Sequence, residues 1–299
     1  MKRIVLLMFV CLCVSAQGKM FDARVRGLQD FMANATVRLN INKELGSWTG
    51  TGFFYRFQNG KKPLQAAYVV LTARHLIDGA CSVEMTIPTS ENGTRVPTKR
   101  AVVTYEKKNI RIFNHPDPAV DIGAILISGE IDRLRSIGTE PYICALDETY
   151  LADDAFYSNE RQLDPVVMVG YPDGMVDDVN LQPIFRRGVY ATAPSLDYQG
   201  KKEFLLDIPN YGGSSGSPVF RFDEGMFNNR GRGCGTTITM GSRLVLAGIS
   251  YDGIGCAPER KETVIVAGAP NSVAWVIKVQ RIRELEAAFL SAYGEGMKK

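Results

Sequence analysis

The sequence predicts an all-β protein built as two strand-rich halves with a helix at its C-terminal end. Three observations carry that prediction. Short apolar stretches recur from residue 36 to about residue 268, punctuated by Gly, Pro, Asn and Asp, which is the pattern of barrels or a sandwich and not of βαβ units. The stretch 135–160 is irregular, with Gly138, Pro141 and several acids, and lies midway between two series of strands, so it reads as the connection between two barrels. Near the end, Trp275, Val279, Ile282, Leu285 and Phe289 fall on one face of a helix.

Taken in order, the chain divides as follows. Residues 1–16 form a secretory signal peptide: Lys2 and Arg3, then the apolar run 4–14, then Val14-Ser15-Ala16 with cleavage after Ala16. That run is too short to span a bilayer, which takes roughly 20 residues, and no later segment does better. The expected location is secreted or periplasmic. Residues 17–34 form a helical segment, since Phe21, Val25, Leu28 and Met32 recur at helical spacing. The first barrel spans 35–135. Val37, Leu39 and Ile41 alternate with Arg38 and Asn40, and further strands are expected at 50–57, 67–73, 83–87, 101–105, 110–113 and 121–128. After the connection 136–160, the second barrel spans 161–270, with strands near 164–170, 183–192, 203–208, 217–222, 243–251 and 262–268. Within it, 223–242 reads as a long Gly-rich loop. A helix and tail fill 271–299.

Composition narrows the function classes. The formal net charge is +3, and Lys2 and Arg3 leave with the signal, so +1 remains; this gives no electrostatic case for nucleic acid or an anionic membrane. Neither CxxC nor HExxH spacing occurs, so neither a metal nor another cofactor is expected. Cys81, Cys144, Cys234 and Cys256 remain after cleavage, an even number that permits two disulfides in three connectivities. Nothing in the sequence sets an oligomeric state.

The stretch 207–220, D-I-P-N-Y-G-G-S-S-G-S-P-V-F, carries the chemistry. Gly and Pro weaken a strand ladder, whereas a sharp turn that exposes one hydroxyl and aims backbone N–H groups at one point needs them. Two serine chemistries fit. Gly212-Gly213-Ser214-Ser215-Gly216 spells G-x-S-x-G, a nucleophile elbow with Ser214 as nucleophile, but that fold takes its acid and its histidine from positions after the serine. The chain has only His75 and His115, both upstream, so the elbow has no base. G-x-S-G-x-P fits as Gly213, Ser215, Gly216 and Pro218, in the order His…Asp…Ser. His75 closes the run Val69-Val70-Leu71-Thr72-Ala73-Arg74-His75. Asp121 opens Asp121-Ile122-Gly123-Ala124-Ile125-Leu126, where a buried carboxylate needs a partner such as an imidazole N–H. Asp117, between Pro116 and Pro118, reads as an exposed turn.

Together L-T-A-R-H, D-I-G-A-I-L and G-S-S-G-S-P resemble the chymotrypsin-like (trypsin-like) serine peptidases, and Val169-Gly170-Tyr171-Pro172 with 212–218 looks closest to the bacterial glutamyl endopeptidase branch. The resemblance implies two Greek-key six-stranded β-barrels and an exported serine endopeptidase acting on protein or peptide substrates. It implies His75, Asp121 and Ser215 as the triad, and the N–H groups of Gly213 and Ser215 as the oxyanion hole. Ser250 would hydrogen-bond the triad carboxylate, and Ser250, Tyr251 and Asp252 would pair with the substrate backbone. A disulfide between Cys234 and Cys256 would pin the 223–242 loop to the pocket rim, while pairing of Cys81 with Cys144 is left open. Two positions depart from the family. Ser214 stands where many members carry the acid that receives a new amino terminus on activation, and no histidine is left for an acidic-substrate pocket. The competing reading is a catalytically silent peptidase-like binding protein.

Overall fold

Period-two alternation takes over from helical spacing at Thr36. Helix α1 (Leu28–Ala35) buries Leu28, Phe31, Met32 and Ala35, and the Thr36 hydroxyl donates to the Met32 carbonyl at 2.9 Å where the helix gives way to strand β1 (Thr36–Lys43). The computed structural model describes residues 27–58, 66–230, 236–251 and 271–296. Its first half continues with β2 (Gly46–Phe57), β3 (Ala67–Thr72), α2 (Arg74–Ile77), β4 (Ser82–Glu91) and β5 (Thr94–Glu106). It closes with β6 (Ile112–Asn114), β7 (Gly123–Leu126), α3 (Ser128–Ser136) and β8 (Glu140–Pro141). The antiparallel order is β5-β4-β1-β2-β3-β7-β6, with β8 beside β4. The six strands implied by the family resemblance are thus seven on one path plus the two-residue β8, too short to leave a pattern in the sequence.

Helix α4 (Asp154–Asn159), N-capped by the Asp153 carboxylate, leads into the second half. Strands β9 (Pro165–Gly170), β10 (Ile184–Tyr190), β11 (Glu203–Asn210), β12 (Pro218–Arg230), β13 (Thr236–Tyr251) and β14 (Asn271–Lys278) close into a six-stranded barrel. Helix α5 (Gln280–Gly296) ends the described chain. The protein is therefore a mostly β double-sheet fold of the trypsin-like double-barrel type with a C-terminal helix.

Strand β2 explains why the two halves act as one body. Phe54 points into a core made with Val37, Leu39, Val70 and Ile125, whereas Phe53, Tyr55 and Phe57 join Val169, Phe204, Leu246 and Phe289 in a core shared with the second barrel. A strand buried on both faces shows a continuous apolar run, and Phe53-Phe54-Tyr55 is that run. Helix α5 returns onto the same strand. Phe289 packs on Phe57 and Phe113 at ring separations of 5.0 and 4.7 Å. The Glu286 carboxylate accepts from Gln58 N–H at 2.8 Å and from Tyr55 OH at 3.2 Å.

Two expectations change, and a pairing left open is decided. Trp275, assigned to the helical face, lies on β14 opposite Leu205, so only Val279, Ile282, Leu285 and Phe289 form the buried end-of-chain set; Trp275 falls in helical phase with them by coincidence of spacing. The loop expected over 223–242 is a two-stranded ribbon in which β12 and β13 stay paired out to Arg230 and Thr236. Both of its faces meet solvent, with Met226, Ile238 and Met240 exposed on one of them, so it shows no apolar–polar alternation. Cys81 and Cys144 are not bonded to each other. Their backbone N–H groups bind Asn42 and Asn34, flanking a strand some 20 Å long at about 3.3 Å per residue, whereas a disulfide needs Cα atoms within about 7 Å. Cys234, Cys256 and the strand expected at 262–268 lie outside the described residues.

Burial pushes the Glu286 carboxyl up from its ordinary 4.5, with Glu148 and Asp147 adding to the rise. Its folded-state pKa therefore lies above the unfolded value, and the native state gains relative stability as pH falls through that raised pKa. Glu286→Gln keeps an acceptor for Gln58 and removes the buried charge; in urea unfolding at pH 7 it should equal or exceed the native protein. The gap should narrow towards pH 4.5. Glu286→Ala, which strands two donors, should lose about 1–3 kcal/mol. A Gln variant weaker than native at pH 7 contradicts this account of the helix anchor.

Candidate active site

Strand β3 delivers the histidine. Leu71 and Thr72 are fully buried, Ala73 is extended, and the single turn of α2 buries Leu76 and Ile77, which leaves the His75 side chain at the surface of the groove with 27% of it exposed. Asp121 immediately precedes the buried Ile122 and strand β7, the neighbour of β3. Its carboxylate spends both oxygens on one residue: Oδ1 accepts from His75 N–H at 2.7 Å and Oδ2 lies 2.6 Å from His75 Nδ1. A carboxylate only accepts, so Nδ1 carries the proton and the lone pair of the neutral ring sits on Nε2. His115 does different work. It is buried, its Nδ1 accepts from Asp117 N–H at 3.0 Å, and its Nε2 faces Glu284 at 3.3 Å. Asp117 Oδ1 accepts from Ala119 N–H at 3.0 Å within an exposed turn.

The serine turn occupies the gap between β11 and β12. Ser214 N–H donates to Tyr211 C=O at 3.1 Å and Ser217 N–H to Ser214 C=O at 3.0 Å, so two tight turns meet at Ser214 and the second carries Ser215. Gly213 and Gly216 have φ of 78° and 85°, a region that side chains disfavour. Space forbids a side chain at either. A Cβ on Gly213 would sit 2.4 Å from the Tyr171 carbonyl oxygen, and one on Gly216 2.0 Å from that of Thr51. Thr51 on β2 holds the turn from the opposite side. Its N–H donates to Ser215 C=O at 3.0 Å and its hydroxyl to Gly213 C=O at 2.8 Å. Its own carbonyl accepts from the hydroxyl of Thr72, three residues before His75, at 2.7 Å. The turn therefore lies against the strand end that carries His75.

Ser214 and Ser215 differ sharply. Ser214 is wholly buried, and its Oγ accepts from Arg186 Nη1 at 2.9 Å and from Tyr211 N–H at 3.2 Å. Ser215 is 7% exposed. Among the described residues its hydroxyl has no hydrogen-bond partner, and the N–H groups of Gly213 and Ser215 donate to none. The Ser215–His75 hydrogen bond is accordingly not formed, while the histidine and the aspartate are joined.

One expectation for the substrate strand changes. Ser250 does not bond the Asp121 carboxylate, whose two oxygens each face His75; the Ser250 hydroxyl is buried without a partner. Its backbone is engaged with the serine turn, Ser250 N–H to Ser217 C=O at 2.8 Å and Gly216 N–H to Ser250 C=O at 2.7 Å. Tyr251 pairs with Trp275, and its hydroxyl donates at 2.8 Å to Glu203, whose carboxyl burial pushes up. Asp252 lies outside the described residues. Sequence reasoning passed over Arg186, although a signal existed. Strand β10 alternates, with Phe185 and Arg187 outward and Ile184, Arg186, Gly188 and Tyr190 on the inward parity, so a charge stands where an apolar residue is the rule. Burial pushes this guanidinium down to about 10, against the opposing pull of Tyr211 and Asp173.

Solved structures with similar folds share little sequence. An HtrA-type protease, AlgW in a serine-to-alanine form with a tripeptide, has 14% identity and a TM-score of 0.46, with 84% of this chain covered but only 58% of that one. A thermostable serine protease, AL20, from an extremophilic microorganism has 16% identity and a TM-score of 0.45, over 86% of this chain and 98% of that one. The active form of a protease from M. tuberculosis has 12% identity and a TM-score of 0.43, over 86% and 81%. No curated protein matches the sequence. The model of the trypsin-like peptidase domain matches residues 50–227. Since that match covers more than half of the chain and takes in His75, Asp121 and Ser215, the protein belongs to the trypsin-like peptidase family.

Proposed function

We propose that the protein is an exported serine endopeptidase that cleaves protein or peptide substrates through a His75–Asp121–Ser215 triad and an acyl-enzyme. One observation carries the reading: Asp121 grips His75 at both backbone and ring, which leaves Nε2 as the basic nitrogen beside a glycine-held serine turn. In this scheme Ser215 Oγ attacks the carbonyl carbon while its proton passes to His75 Nε2. The displaced electron pair settles on the carbonyl oxygen, facing the N–H groups of Gly213 and Ser215, which no described residue occupies. Collapse expels the amine with the proton from Nε2 and leaves an ester on Ser215. Water then repeats the sequence and returns the serine. Asp121 steadies the imidazolium in both halves.

Affinity with the glutamyl endopeptidase branch rests on Val169-Gly170-Tyr171-Pro172, whose backbone packs against 212–213. Preference for Glu is no part of the proposal, because His75 is taken as base and His115 is buried against Glu284. Among the described residues no helix is long and apolar enough to cross a membrane. The second reading, a silent binding protein, has one observation in its favour, the unmade Ser215–His75 bond; such bonds are often loose before substrate arrives. Labelling with a serine-directed fluorophosphonate separates the two readings, since only the peptidase reacts at Ser215.

Ser215→Ala should remain folded and lose on the order of 10⁶ in kcat, and Asp121→Asn about 10⁴. Ser214→Ala, which removes the two hydrogen bonds its Oγ accepts but leaves the Arg186–Pro209 contact, should lose far less, no more than about a hundredfold. An inactive Ser214→Ala beside an active Ser215→Ala would reverse the assignment. Exported protein should begin at Gln17 and, in peptide mapping, yield a Cys234–Cys256 disulfide; two free thiols there dismiss the bond. The 17–299 form should react with fluorophosphonate without further cleavage, even with a few residues added before Gln17, because Ser214 carries no charge to receive an ammonium. A form that stays inert until cut inside the chain would show that activation follows another route.

A further inference from the structure

Both ends of the turn before the serine are held by one side chain. Arg186 Nη1 donates at 2.9 Å to the carbonyl of Pro209, where β11 is ending, and at 2.9 Å to the hydroxyl of Ser214. Between these anchors lie Tyr211, Gly212 and Gly213, and two adjacent glycines leave a backbone with more freedom to lose than any other pair. The other wall is backbone: Asp173 N–H donates to Gly212 C=O at 2.6 Å. Arg186 Nε and Nη2 are buried with no partner. A guanidinium held this way costs stability that a neutral side chain would not, so fold stability alone does not account for its presence. Its contacts point instead at the geometry of the turn.

We infer that Arg186 is a positioning residue that bridges Pro209 and Ser214 from strand β10 and thereby aims the N–H groups of Gly213 and Ser215 at the substrate oxyanion. The inference rests on the reading of Ser215 as nucleophile. Arg186 touches neither substrate nor the reacting atoms; it acts through the turn. An internal, permanent cation then does for this loop what no acid at position 214 is present to do.

The test compares the full 17–299 protein with Arg186→Met and Arg186→Lys, by steady-state peptide hydrolysis and by amide hydrogen exchange at Ser214, Gly216 and Ser217, whose N–H groups are bonded within or beside the turn. Arg186→Met should lose about 10²–10³ in kcat, the loss seen when an oxyanion donor is removed, with KM changed less than about twofold. Exchange at the three amides should quicken while the β1–β2 ladder stays protected, and added guanidinium ion should recover part of the rate. Arg186→Lys keeps the charge, but its side chain ends one atom short of Nη1, the single atom that makes both bonds, so both weaken and its kcat should fall between the two. Should Arg186→Met fail to fold, Arg186→Lys decides: a native kcat overturns the bridge. Native kcat and native exchange in a folded Arg186→Met overturn it as well. If the wild-type protein neither hydrolyses peptides nor takes the fluorophosphonate, the peptidase reading fails, and the exchange data alone judge Arg186: quickening supports the bridge and unchanged exchange refutes it.

Discussion

Thr51 is the point at which the two halves become one site. It is fully buried and uses every polar atom it has: N–H to Ser215, hydroxyl hydrogen to Gly213, hydroxyl oxygen from Tyr171 N–H, and carbonyl from Thr72. A buried polar group left unpaired costs about 1–3 kcal/mol, so displacing the serine turn from β2 would strand several such groups at once. The position of Ser215 relative to His75 is thereby set by the first sheet as much as by the barrel from which the serine comes. Gly213 and Gly216 follow from the same constraint, since a side chain at Gly216 would collide with the Thr51 carbonyl.

Around that junction the polar wiring is short and redundant. Tyr171 and Asp173 brace the turn from one side, Ser250 N–H and C=O from another, and Arg186 from beneath. Asp121 and His75 belong to the opposite wall, and their two-point contact orients the ring without help from the serine. The buried Ser250 hydroxyl takes no share in this.

Sequence legibility followed physical contrast. The alternation of β1 announced a strand because its successive residues differ in burial, whereas Phe53-Phe54-Tyr55 reads as a short continuous apolar run because β2 is buried on both faces. The 223–242 ribbon offered no such contrast, being wet on both faces and rich in glycine, and Trp275 sat by chance in phase with a true helix. In the site, His75, Asp121 and the Gly213–Gly216 turn were readable because each sits in a local context that ordinary strands do not need. Arg186 was hidden because a charged residue reads as solvent-facing unless strand parity is counted. The bond expected from Ser250 to the triad carboxylate was not made because a hydroxyl's partner depends on its distance and direction across the groove, and sequence does not carry that.

The shared packing of β2 has a consequence for cooperativity. Phe53, Tyr55 and Phe57 are sealed by residues of the other barrel and by α5, so neither half can open without uncovering the apolar interior of its partner. Partial unfolding that kept the histidine wall while releasing the serine wall would expose this whole surface, and such a state has little to hold it together. Loss of either half therefore costs packing in both, and the described residues are built to stand or fall together.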